Sequence, residues 1–280
     1  MSGPAPLSLR AWLAAALLAA LPATGWGAPP AGVLELVQGP VRIIGADGRA
    51  RPAETGATVA EGETLVTGPA GEAQLRMADS AYLALRPDSR LTLARYQARG
   101  DADDTALLRL VRGTLRSITG WIGRYNTGRY RIVTPTATLG VRGTDHEPLV
   151  VLPEEAEAGW AAGTYDKVNE GTVILENDQG SLVLEAGQAG FVPRGRPPRR
   201  LPRPPGLYRP SPNEDRIDRR KRQLAARLME ALRKRQAQRR QGREEGGPAL
   251  LLPPAARDRL RSGPARPRLK RLRERPRHKR

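Results

Sequence analysis

Residues 170–192, EGTVILENDQGSLVLEAGQAGFV, decide how this chain is to be read. Val173 and Leu175, and then Leu182 and Leu184, fall at every second position, the spacing at which one face of a strand meets a core. Asp178-Gln179-Gly180 between the two runs supplies turn chemistry, so the segment predicts a β-hairpin with one buried face. Upstream the same habit continues. From residue 33 to residue 192 short β-prone runs alternate with glycine or Pro/Asp punctuation, and no helical period persists beyond two turns. Strands are expected at 33–37, 41–44, 64–67, 72–77, 81–85, 90–96, 106–116, 130–134, 137–141, 147–152, 172–177, 181–185 and 189–192. Asp47-Gly48 and Pro87-Asp88 mark turns between them. The fold class is therefore all-β: a sandwich, barrel or β-roll of short antiparallel strands. With a single Phe and six Tyr in 280 residues, the core has to be built from Val, Leu, Ile and Ala.

Composition divides the chain sharply. Residues 194–280 carry 30 Lys+Arg against 8 Asp+Glu, a net of +22, while residues 1–193 carry 17 against 21, a net of −4. The basic character of the whole chain thus belongs to its C-terminal part, a polycation suited to phosphates, acidic glycans or lipid headgroups. RGRPPRRLPRPPGLYRPSP reads as an extended Pro/Arg-rich linker over 194–212. A basic amphipathic helix is possible over 213–241, capped by Asn213, with Glu214 and Asp215 in its first turn and Ile217, Leu224, Leu228 and Leu232 near one face. Residues 242–280 are expected to be a disordered basic tail.

At the other end, Arg10 precedes the apolar run 11–21, then Pro22 and the small residues ATGWGA. This is the pattern of a signal peptide over 1–27. Cleavage after Gly27 fits better than after Ala28, which would place Trp26 at a small-residue position. The run is too short to span a bilayer, so no transmembrane span is expected after cleavage, and the protein is expected in the periplasm or envelope. With no cysteine in the chain, neither a lipid-modified cysteine nor a disulfide is available.

The polar residues gather in one stretch, YRIVTPTATLGVRGTDHE, residues 130–147. A strand reaching Gly143 meets a backbone free to bend, and Arg142 and Asp145 are expected to pair across that bend, with Thr144 bonding local backbone. Asp145, His146 and Glu147 in succession point to alternate sides of a strand, a poor arrangement for a metal, and His278 is the only other histidine. No nucleophile elbow or phosphate-cradling loop occurs, and no cofactor, metal or catalytic residue is indicated. The chain reads as non-enzymatic.

Several separated blocks, in order, resemble the FecR domain of the stand-alone exported type: GETLVTGPAGEAQLRMADSAYLALRPDSRLTL, RLVRGTLRSITGWIG, YRIVTPTATLGVRGTDHE, GTYDKVNEGTVIL and LVLEAGQAGFV, spanning about 61–192 within an all-β domain over 28–193. The resemblance makes Gly140, Val141, Arg142, Gly143, Thr144, Asp145, His146 and Glu147 a family signature with a structural role, a ligand or partner edge being the alternative. Because the family more often has an aromatic or apolar residue where His146 stands, it also implies that His146 is exposed. It implies an exported bacterial domain used in envelope signalling or as a binding scaffold, its partner an envelope protein or glycan. The founding regulator's cytoplasmic arm and membrane span have no counterpart in the sequence, so iron-citrate signalling is not implied. Residues 194–280 would then meet an anionic surface, lipid headgroups or lipopolysaccharide phosphates. One alternative is a glycan-binding or wall-associated protein using Trp121, Tyr125 and Tyr130 as an aromatic partner surface. A second is nucleic-acid binding through the Arg-rich segment, weakened by its lone aromatic, Tyr208. Trp160, in the acidic segment 153–162, is expected to pack under a loop.

Overall fold

A computed structural model describes residues 30–156, 160–226 and 229. The expected leader over 1–27, the end of the expected helix and the expected tail over 242–280 lie outside the described residues. The described chain is all-β, with fifteen strands: β1 (Pro30–Gln38), β2 (Val41–Ile44), β3 (Ala50–Pro52), β4 (Thr58–Ala60), β5 (Thr64–Thr67), β6 (Glu72–Met77), β7 (Tyr82–Leu85), β8 (Arg90–Gln97), β9 (Thr105–Ile118), β10 (Tyr130–Val133), β11 (Thr138–Val151), β12 (Gly163–Asn177), β13 (Gly180–Glu185), β14 (Ala189–Pro193) and β15 (Arg199–Leu201). A short helix α1 (Trp121–Tyr125) and a helix α2 over 214–226 complete it.

The hydrogen-bonded order is β15-β14-β12-β11-β10-β9-β7-β6-β1-β4, with β13 added to β12 and a branch β3-β2-β5-β8 joining β9. Two expectations are corrected. The strands are not all short, because the runs expected at 137–141 and 147–152 are one strand, β11, of 14 residues, and β12 has 15. Nor are all pairs antiparallel: β10 lies parallel to β9, Tyr130 opposite Ala106. The physical reason is the return path through α1, which brings the chain back to the start of β9 before it pairs again.

The expected hairpin forms. Val173, Leu175 and Leu184 are fully buried, and Leu182 packs against them. Within the core they join Leu83, Leu85, Leu108, Leu110, Ile132 and Leu139, aliphatic side chains from both sides of the fold. The long strands reach from one part of the molecule to another by bending. In β11 and β12 the bends meet: Gly143 and Gly171 both take positive φ, 60° and 79°. A Cβ on Gly171 would stand 2.3 Å from the Gly143 carbonyl oxygen. Only a residue without a side chain lets the two backbones approach this closely in that conformation. The register of the pair shifts at the same place, between Arg142 and Asp145.

The expected linker over 194–212 is corrected as well. Residues 199–201 add β15 to β14, with Gly190 opposite Arg200. Leu201, Leu207 and Tyr208 then pack on Leu149, Val151, Tyr165 and Phe191. Proline density removed backbone donors here without preventing burial, because the apolar patch on β11, β12 and β14 needs a cover. The domain therefore continues past Pro193, and the described residues up to 226 belong to one compact unit.

Candidate interaction surfaces

The signature segment is divided by the Gly143 bend. Before it, Leu139 and Val141 point into the core and Arg142 stands exposed on the outer side. After it, Thr144, Asp145, His146 and Glu147 are all buried, since the register shifts about Asp145 break simple alternation. The expected Arg142–Asp145 pair does not form. Asp145 instead accepts from Arg116 on β9, Nε to Oδ1 at 3.0 Å and Nη2 to Oδ2 at 2.7 Å, and from Lys221 of α2 at 2.7 Å. Asn169 of β12 donates to it at 3.3 Å. Thr144 does not bond local backbone through its hydroxyl: its backbone N–H donates to the Thr119 hydroxyl oxygen at 2.8 Å, and its own Oγ1 has no partner among the described residues. Nor is His146 exposed. Its Nδ1 lies 3.1 Å from both carboxylate oxygens of Asp166, with both side chains fully buried.

Helix α2 covers the face that holds Asp145. Ile217 and Leu224, seven residues apart and so on one side of a helix, complete a cluster with Tyr82, Ala84 and Ile118. Polar stripes flank this ridge. Along one, Glu214, Asp218 and Lys221 meet Arg86, Arg116, Asp145 and Glu170: Arg86 to Glu214 at 2.7 Å, Arg116 to Asp218 at 2.9 Å, Lys221 to Glu170 at 2.6 Å. Arg116 also pairs with Glu214. Along the other, Arg220 pairs with Glu35 at 2.8 Å and Arg216 donates to the Glu35 carbonyl at 2.7 Å. The helix start is pinned to β6, where Ser211 Oγ donates to Glu72 at 2.6 Å and the Asn213 amide group donates to it at 3.0 Å. Asn213 thus reaches the sheet rather than capping the helix through its side chain.

These pairs set the charges. Burial works to raise the Asp145 carboxyl, but the Arg116 guanidinium and the Lys221 ammonium override it and hold the group down at about 2. Burial likewise disfavours charge on Lys221 and Glu214, yet Asp145 and Glu170 raise the first and Arg86 and Arg116 lower the second. All three stay ionised at neutral pH. Since a buried ion loses hydration that only its partner replaces, each member of the set depends on the others. Among the described residues no group of His, Cys, Asp or Glu is placed to hold a metal ion.

The three aromatic residues expected at a partner surface do not form a platform. Tyr130 is buried with its hydroxyl 2.9 Å from Ser117, and Trp121 is partly buried, its indole N–H donating to Asp104 at 2.8 Å. Tyr125 alone is largely exposed, at 51%. Trp160 is half-buried and lines a recess of about 650 Å³ with Tyr165, Arg199 and Arg203.

A second face, built from the other halves of the same strands, has no cover among the described residues. Cross-strand register places Arg95, Leu107, Arg131, Gly140, Ile174 and Val183 in one row over six strands, β8 to β13. Ile174 and Val183 are 44% and 48% exposed. Arg95, Arg109, Arg131 and Arg142 are exposed, and none makes an ion pair with a described residue. Sequence reasoning singled out Gly140 and Arg142 but missed Arg116, Glu214 and Lys221. The spacing of Glu214, Asp218 and Lys221 along one side of a helix was the available signal.

Comparison with known proteins gives one family match. Residues 63–173 match the family model described as FecR protein. Two crystal structures of a candidate anti-sigma factor from Parabacteroides distasonis ATCC 8503 are similar at 13% and 14% identity, with TM-scores of 0.39 and 0.40. Each alignment covers 50% of this chain and 59% of the other, so the chain spans less than two thirds of their length. A cell surface anchoring domain aligns at 24% identity and TM-score 0.22, over 22% of this chain and 82% of that one. No curated protein matches the chain.

Proposed function

We propose that this chain, which carries a FecR domain over residues 63–173, is an exported binding scaffold or signal-sensing module of the bacterial envelope that holds to an anionic surface through its polycationic C-terminal part. The family is a regulatory, non-enzymatic kind of protein, typically associated with the envelope. No helix among the described residues is long and apolar enough to cross a membrane.

The observation that carries the reading is the fastening of α2. Asp145, Glu72 and Glu35 of the sheet grip Ser211, Asn213, Arg216, Arg220 and Lys221. The root of the basic segment is thereby tied to the domain, and residues 229–280, which hold 18 Lys+Arg against 5 Asp+Glu, follow directly. Such an excess of cations attracts phosphate-bearing surfaces, and the attraction weakens with salt. Loss of the leader over 1–27 on export would leave the domain and this segment on the envelope side.

Fractionation with mass spectrometry of the mature N-terminus tests the export part. Full-length protein in the cytoplasm with its leader intact would defeat it. Co-sedimentation with phosphatidylglycerol vesicles tests the surface part: binding should fall sharply in a chain ended at Leu228 and at high salt. Undiminished binding by the shortened chain would remove the polycation from the mechanism.

A further inference from the structure

We infer that the open face centred on Gly140 is a docking surface for an acidic segment of a protein partner that carries apolar side chains along one side. This deepens the scaffold reading above by giving the partner a chemistry, and it rests on that reading.

The covered face of the same molecule shows how these strands accept a segment. There, apolar Tyr82, Ala84 and Ile118 receive Ile217 and Leu224, while the carboxylates of Glu35, Asp145 and Glu170 meet the bases of α2. The open face repeats the arrangement with the sign reversed. Ile174 and Val183, directly paired across β12 and β13, form its apolar centre, and Arg131 and Arg142 stand beside them, with Arg95 and Arg109 further out. Between Arg131 and Ile174 the row contains Gly140, where a Cβ would meet nothing within 4 Å. Gly140 stands in a recess of about 390 Å³ that Arg131, Arg142, Thr172, Ile174, Val183 and one carboxylate, Glu176, also line, with room for an apolar side chain. Guanidiniums that meet no carboxylate among the described residues, Arg131 donating only to the Gly128 carbonyl at 3.2 Å, favour carboxylates with an apolar ridge.

Two other occupants fit less well. The C-terminal part of this chain is itself strongly basic and would meet the arginines with repulsion. A uniformly anionic lipid surface would also have to cover Glu176 and Glu185, both exposed on the same face. A peptide of mixed composition can set its carboxylates at the arginines and an uncharged side chain beside Glu176, which lines the recess.

The probe is a labelled amphipathic peptide of leucine and glutamate, titrated against the full-length protein with anisotropy as readout. Arg131→Glu with Arg142→Glu should weaken binding at least about tenfold, and Ile174→Asp by a similar factor. Arg271→Glu with Arg273→Glu, in the basic C-terminal part, should change it less than about twofold, and a glutamate-only peptide of equal charge should bind about tenfold more weakly. A leucine–lysine peptide should bind the Arg131/Arg142 double variant better than the parent, which also shows that the variant is folded. The inference is overturned if the loss follows Arg271 and Arg273 instead, or if the glutamate-only peptide binds as well. It is equally overturned if phosphatidylglycerol vesicles, and not the peptide, lose binding with the Arg131/Arg142 change. Because purified protein is used, failure here leaves the export reading standing, and failure of export leaves this result intact.

Discussion

On one side of the bend at Gly143, β11 turns Asp145 and Glu147 into a face roofed by α2; on the other it turns Gly140 and Arg142 to solvent. β12 does the same in reverse order, with Asp166 and Asn169 on the roofed half and Ile174 on the open half. The backbone of the two halves is alike, and the difference lies in charge. Carboxylates on the roofed half meet the bases of α2, and Arg86 and Arg116 beside them meet its Glu214 and Asp218. Arginines on the open half repel that same segment, so this half has no intramolecular cover among the described residues. One signature motif thus serves two surfaces, one satisfied within the chain and one left for another molecule.

The largest effect expected from breaking this contrast is truncation. A chain ended at Pro193 would uncover Tyr82 and Ile118 on one patch and Tyr165 and Phe191 on the other, and strip Arg116 and Asp145 of α2. It should lose about 5 kcal/mol or more against a chain ended at Leu228, measured by urea unfolding, and bind a hydrophobic dye. Equal stability of the two would mean that the roof is ornamental. Next in size, Asp145→Ala removes the two-bond partner of buried Arg116, which keeps Glu214 and Asp218, and one partner of Lys221, which keeps Glu170. It should cost about 3 kcal/mol, whereas Arg142→Ala, across the bend, should stay within about 0.5 kcal/mol.

Glycines sharpen the same contrast. Gly171→Ala forces a Cβ to 2.3 Å from the Gly143 carbonyl oxygen at a φ of 79° and should cost about 3 kcal/mol, while Gly140→Ala has open space and should be neutral or stabilising by about 0.5 kcal/mol. The smallest effect is that of acid. The Asp145 carboxyl is depressed from 3.8 to about 2, so its contribution is whole above the unfolded value and is lost as pH falls through the folded one. Between about pH 4 and pH 2 the roofed face should weaken by about 2 kcal/mol, read as protease access to α2. Asp145→Asn should abolish that pH step while changes at Arg142 leave it intact; a step that survives Asp145→Asn would point to another carboxylate.

The alternation at 173–175 and 182–184 was legible because a strand with one buried face must repeat every two residues, and the aliphatic core followed from it. The N-terminal half of β12 was not read as a strand, since Asp166, Lys167, Asn169 and Glu170 look like loop chemistry until a charged roof is present to partner them. β3, β4 and β15, with three residues each, are too short to show a period. Proline and arginine around Leu207 and Tyr208 looked like linker composition, and the apolar patch that captures those two side chains is assembled from strands far away in sequence. His146 followed the same rule: nothing local announces Asp166, 20 residues on, as its partner.

What the sequence by itself determined is local. It specified period-two strands, a glycine where β11 must bend, a helix with Ile217 and Leu224 on one side, and a basic C-terminal part. Only the tertiary structure decided which charge meets which. Asp145 finds Arg116 at a separation of 29 residues and Lys221 at 76, not Arg142 three positions before it. An ion pair is stable where burial leaves a charge no other partner, and burial belongs to the assembled sheet and its roof rather than to any stretch of sequence.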